Sequence, residues 1–356
     1  MARLPIDALG SSVELVGSSA PLQAIERDWS RCAAPSEGPA TTIIQVADAD
    51  PPETASTAAL ASRITMAGIE GSAGRRLLFH ACGLSLDDGR VVVLVGASGA
   101  GKSTASAALC RERFGYVSDE TVAIAPDFTV SAYPKPLLVR TRDVLPKQVV
   151  GPDEMGLLTC PDTLQASRLV LLRRDGTSPP RLDPVPMVDG ILGLIPETSA
   201  LARLATPLSD LCRLVDHCGG VHVLRYAEAA ETEHLLAALS DRPLVGTDTW
   251  QPVSAGAASP PTQGEGLLVA PELQAAVRVE DEVLLLHEGR PVRLSGIGAT
   301  LWWESRSGAT DASLLDAAVQ QHGPHPDAQR IVEAAISELT QRGVIHRLGP
   351  EPATTA

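Results

Sequence analysis

The sequence predicts an α/β domain built round a phosphate-binding loop, joined by a linker to a small winged-helix-like α+β module. Three observations carry this. Gly96-Ala97-Ser98-Gly99-Ala100-Gly101-Lys102-Ser103-Thr104 fills every fixed position of G-x-x-x-x-G-K-[ST], between an apolar run and an Ala-rich run. Residues 251–266 are rich in Pro, Gly, Ser and Ala without an apolar period, so they read as a linker. After them, 267–348 show three strand patterns and then three helix patterns. The expected boundaries are 1–250, 251–266, 267–348 and a tail at 349–356.

In chain order, residues 1–75 predict strands at 12–16 and 41–46 and helices at 22–29 and 58–66, with loop-like stretches at 33–41 and 48–57. Nothing in them carries recognisable chemistry. From 77 the pattern sharpens. Residues 77–84 read as an apolar strand holding one histidine, His80, and Asp87-Asp88-Gly89 signals a tight hairpin turn. The run 91–95 is β-branched and apolar, as a buried parallel strand is. It leads into the loop, and 104–113 reads as the following helix. The glycines let backbone N–H groups turn toward phosphate oxygens at a positive helix N-terminus. In such a loop Lys102 bridges the terminal phosphates and the Ser103 hydroxyl ligates Mg²⁺. A ligand-free glycine-rich turn is the plainer alternative, but it does not require every fixed position to be filled.

Next comes a short strand at 114–118 that ends in Asp119-Glu120, followed by another strand at 121–124. Acids at a strand end beside a phosphate loop are where Mg²⁺ ligands and a catalytic base belong; strand-end solvation is the alternative. Residues 133–140 form an extended, Pro-bounded segment. Its Lys135 and Arg140 are candidate substrate-binding cations, or simply a solvated basic edge. Beyond it, 146–162 reads as loop, 168–173 as a core strand, and four prolines between 179 and 186 as a long connection. Residues 187–246 alternate helical stretches with a strand at 220–225, the last helix running through 235–239 to Pro243. In the C-terminal module, strands are expected at 277–279, 283–287 and 290–294. Helices follow at 298–304 capped by Ser295, at 312–321 capped by Asp311, and from Pro326 with Ile331, Ala335 and Leu339 on one face and Gly343 as its stop.

Composition narrows the function classes. The net charge of −14 argues against a general nucleic-acid or anionic-membrane binder. Of 29 basic residues only Lys102, Lys135 and Lys147 are lysines, and one of them sits in the loop. The six cysteines form no C-x-x-C and no zinc spacing, so they read as reduced, structural residues of a cytoplasmic protein. The N-terminus has no signal core, and no apolar run approaches the ~18 residues of a membrane helix.

His80 upstream, the loop 96–104 and the acid pair after the next strand together resemble HPr kinase/phosphorylase, a P-loop kinase fold shared with PEP carboxykinase, and the related peptide serine kinases of lasso-peptide pathways. Tyr133-Pro134-Lys135-Pro136, with Arg140 beyond it, is similar to a stretch of those pathway kinases. The resemblance implies that His80 and Asp119 form the catalytic pair, that the loop binds the nucleotide, and that Ser103 and Glu120 hold Mg²⁺. It also implies ATP as donor, with GTP an open alternative, and a homo-oligomer. The chain departs from the family in carrying Asp119-Glu120 where two aspartates are usual, and it lacks the regulator's longer C-terminal signature. Residues 267–348 resemble the PqqD-like recognition domain of peptide natural product pathways, through the strand triplet, the turn 294–302 and the closing Gly343-Val344-Ile345. Such domains add a leader peptide as a strand to a sheet edge. A DNA-reading winged helix is the rival, but seven arginines, no lysine and eleven acids over 267–348 leave a balance of −4 that does not suit a phosphate backbone.

Together these features lead to the expectation of a kinase that phosphorylates a Ser or Thr hydroxyl of a ribosomally made precursor peptide, with the leader on the C-terminal module and the core at the kinase site. The alternative is a nucleotide-gated module that binds and delivers the peptide while hydrolysing nucleotide. A small-molecule kinase with an unrelated tail is a third, weaker fit.

Overall fold

A computed structural model describes residues 1–34, 40–46, 54–139, 148–246, 249–254 and 266–349. They form two compact units, one of residues 1–205 and 213–247 and one of residues 206–212 and 248–356. The protein is of the mixed α/β class, with parallel and antiparallel strands in one large sheet. Among the described residues no helix is long and apolar enough to cross a membrane.

The first unit begins with a three-stranded sheet. Ala2–Ala8 and Ser11–Gly17 form a hairpin, and Thr42–Gln45 joins the second strand in parallel. Ala2–Ala8 is not legible in the sequence because Pro5 interrupts its alternation. The helix Thr54–Ser72 lies against this sheet at close range: a Cβ on Gly68 would stand 2.7 Å from the Ala8 carbonyl oxygen. Ile6, Val13, Leu15, Trp29, Ile64 and Tyr133 fill the space between.

The large sheet carries the site. Its centre is Leu77–Ser85, nearly all buried, as its apolar run demands. On one side it pairs antiparallel with Arg90–Val95, which runs parallel to Gln165–Arg174, which in turn runs parallel to Val221–Tyr226. On the other side it pairs with Thr121–Ile124, and the short strands Gly115–Ser118 and Thr198–Ser199 also pair with it. The prolines at 179–186 do not mark an irregular connection throughout: Arg181–Val185 is an edge strand, where Pro184 costs little because one side of the ladder is open. Likewise Gln148–Val150, expected as loop, pairs with Leu137–Val139. The helix after the glycine-rich loop is Lys102–Leu109, which starts two residues earlier and ends four residues earlier than expected, because the chain must turn inward to bury Phe114. Arg140 and Lys147 lie outside the described residues.

The second unit has its own apolar core of Leu285, Leu301, Trp302, Leu314, Val332 and Ile345 among others. Its sheet has four strands rather than three, in the order Trp250–Val253, Ala275–Val279, Glu282–His287, Arg290–Leu294. The first of these begins at the last residue of the expected first domain and runs into the stretch expected as linker; residues 255–265 are outside the described ones. Three helices follow, Gly296–Ser305, Asp311–His322 and Ala328–Gln341. Ser295 stands at the cap position of the first but makes no side-chain cap bond. The second is capped by Thr310 and not Asp311: the Ser313 N–H donates to Thr310 Oγ1 at 3.1 Å, and Ser313 Oγ accepts from the Thr310 N–H at 2.9 Å. The third buries Val332, Ile336 and Leu339, a face turned one residue from the expected Ile331 and Ala335.

Candidate functional site

The strand Leu77–Ser85 assembles the site by register. His80 is its one half-buried position among buried neighbours. Ala81 is paired with Val95, so the loop strand ends beside His80, and the Gly96 N–H donates to the His80 carbonyl at 3.3 Å. His80 itself is paired with Thr121, which sets Asp119-Glu120 alongside; the Ala81 N–H donates to the Glu120 carbonyl at 3.1 Å. Phe79 is paired with Thr198, which brings Glu197 to the same place. Three flanking strands thus deliver a loop, an acid pair and a third acid to one histidine.

In the loop 96–104, Gly99 and Gly101 have φ of 87° and 95°, conformations glycine adopts freely. A Cβ on Gly101 would stand 2.8 Å from the Tyr226 hydroxyl, which donates to the Ala100 carbonyl at 2.5 Å. Lys102 is buried, and its ammonium donates to the carbonyls of Gly96 at 2.7 Å and Ala97 at 3.1 Å. It also stands 3.5 Å from His80 Nδ1. Ser98 lies in the loop, and Lys102, Ser103 and Thr104 form the first helical turn. Space is open around a Cβ placed on Gly99. The positive-φ glycines at the head of an eight-residue helix, with an ammonium beside them, fit a polyphosphate. The hard oxygen donors Ser103 and the neighbouring carboxylates fit Mg²⁺.

The acids differ sharply from each other. Asp119 is 4% exposed and is held by the Lys135 ammonium at 3.0 Å, the Tyr116 hydroxyl at 3.0 Å and a bond from the Ser103 side chain. Burial pushes its carboxyl up, but the Lys135 charge and these bonds outweigh burial and hold it below the usual carboxylate range. Glu120 is far more open, its side chain 39% exposed, and is met by Lys135 at 3.1 Å and by Thr65 Oγ1 at 3.4 Å. The expected roles were Asp119 as base and Glu120 as metal ligand. Asp119 is the acid tied to Ser103, and Glu120 is the one that faces outward. Lys135, expected at a substrate surface, is instead sealed under both acids at 2% exposure.

His80 Nδ1 lies 3.4 Å from Glu197 Oε2. Burial and the Lys102 charge lower the His80 pKa, and Glu197 works against them. Neutral imidazole is therefore favoured near pH 7. Burial also lowers the Lys102 pKa. Sequence reasoning missed Glu197, Thr65, Tyr116 and Tyr133. The Thr65 and Tyr133 hydroxyls are 3.0 Å apart, and through Thr65 the N-terminal helix, read as free of chemistry, touches Glu120. Among the described residues no three His, Cys, Asp or Glu side chains form a metal cluster.

Fold and site define a mixed α/β protein with a glycine-rich loop beside a buried carboxylate, Asp119, and its more open neighbour Glu120. Set against known proteins, the chain matches no family model and no curated sequence.

Proposed function

We propose that the protein is an ATP-dependent kinase acting on a Ser or Thr hydroxyl of a ribosomally made precursor peptide, with the leader held by the C-terminal unit. The observation that carries the reading is the gathering of Lys102, Ser103, Asp119, Glu120 and His80 round the head of one helix. In the proposed reaction the peptide hydroxyl oxygen attacks the γ-phosphorus. The new O–P bond forms as the bond to the β,γ-bridging oxygen breaks, and ADP leaves with that electron pair. The hydroxyl proton passes to Glu120, the exposed acid, with neutral His80 beside it. Lys102 exchanges its loop carbonyls for phosphate oxygens. Ser103 and Asp119 would hold Mg²⁺, which when bound supplies positive charge to the phosphates.

The leader half rests on the sheet of the second unit. Trp250–Val253 covers one edge, and among the described residues no strand pairs with the outer side of Arg290–Leu294. An extended peptide would add there, bonding backbone to backbone and placing alternate side chains toward the helices.

The test is incubation of the full chain with radiolabelled Mg·ATP and a library of Ser- and Thr-containing peptides, read by mass and label. A gain of one phosphate on a hydroxyl, lost in Lys102→Ala, supports the reading. Hydrolysis with no change in peptide mass would point to the delivery module, and no nucleotide binding would remove the loop from the argument.

A further inference from the structure

Lys135 is a charge that the proposed reaction does not use. It is 2% exposed, and its ammonium sits 3.0 Å from Asp119 Oδ1 and 3.1 Å from Glu120 Oε2. Its third contact is the Pro136 carbonyl at 3.3 Å. Pro134 and Pro136 flank it, and Pro136 holds Lys135 to an extended backbone. The Lys135 carbonyl is itself 3.0 Å from the Tyr116 hydroxyl, which also contacts Asp119. One end of Lys135 is therefore anchored by the same tyrosine that orients the acid.

Two acids in sequence at the end of a strand, beside a loop that fits phosphates, are a donor set that a pair of divalent cations could share. Such pairs stand about 3.5–4 Å apart and need a carboxylate between them. Here the position between the carboxylates is filled by an ammonium that cannot leave without stranding a charge in the interior. We propose, on the kinase reading of the site, that Lys135 is a tethered cation that takes the place of a second metal: it bridges Asp119 and Glu120 permanently, so the site accepts one divalent ion per nucleotide. Lys135 is thus a positioning residue. It holds both acids convergent before nucleotide arrives, and it leaves the Ser103 side of Asp119 for the single ion.

The experiment is a Mn²⁺ titration of the full chain followed by electron paramagnetic resonance, with and without the non-hydrolysable donor AMP-PNP. The wild type should bind one Mn²⁺ per bound nucleotide, and without nucleotide only weakly. Lys135→Met keeps the length and removes the charge. It should gain a nucleotide-independent Mn²⁺ site at least tenfold tighter than any in the wild type, and hold two ions with nucleotide. Lys135→Arg should keep the wild-type count. Two ions per nucleotide in the wild type, or a folded Lys135→Met with unchanged Mn²⁺ binding, overturns the proposal. If Lys135→Met does not fold, the wild-type count decides alone. If the wild type binds no nucleotide, the kinase reading falls, and the nucleotide-free comparison of wild type with Lys135→Met still decides the role of Lys135.

Discussion

Asp119 and Lys135 are each nearly inaccessible, and each is the other's main compensation for leaving water. Removing one partner of such a pair leaves an uncompensated charge, so Asp119→Asn should lower the unfolding free energy by about 3–5 kcal/mol in urea titration. The pH dependence has a definite sign. The folded Asp119 pKa lies below its unfolded value of about 3.9, so its contribution is present above that pH and lost as pH falls through the folded pKa. Asp119→Asn should therefore flatten the acid limb of the stability curve. His80 gives a second handle. Glu197 does more than Glu120 to raise its pKa, so Glu197→Gln should shift the His80 titration, followed by NMR, to lower pH still. An unchanged or raised midpoint would mean that the contact is not made in solution.

Elements made by local rules were the legible ones. The loop, the strand 91–95 and the histidine strand were readable because motif, apolar runs and turn residues all act within a few positions. The second unit's strands and helices were readable for the same reason, although one cap and one helix face were off by a residue. The partners of the site were not legible. Glu197 and Thr65 reach His80 and Glu120 through pairing and packing across more than fifty residues, and no local pattern encodes that. Lys135 was visible as a residue, but its burial follows only from the fold round it. Caps allow a direct comparison. Thr310→Ala removes a cap that is made and should cost about 1 kcal/mol, whereas Ser295→Ala removes none and should stay within about 0.5 kcal/mol, both by thermal unfolding. In the loop, Gly101→Ala meets both a φ of 95° and the Tyr226 hydroxyl. It should cost about 1–3 kcal/mol and weaken nucleotide binding, measured by calorimetry.

At the scale of the whole chain, the second unit encloses its core within residues 268–345, but its sheet is completed from further upstream. A fragment 249–356 should fold as a monomer with a cooperative thermal transition. A fragment starting at 267 loses Trp250–Val253, bares the edge of Ala275–Val279, and should melt earlier and self-associate in size-exclusion chromatography. Equal melting of the two fragments would show that the added strand contributes nothing. The histidine strand sets a different kind of order, one in time. Its partners lie at 90–95, 115–124 and 198–199, so the pocket around His80 closes only after Ser199 has joined the sheet. On a ribosome adding about 5–20 residues per second, Leu77 waits some ~6–25 s for that last partner to be made. Until then the emerging chain has a loop and two acids but no assembled pocket, so on the proposed reading a half-made copy would be inert.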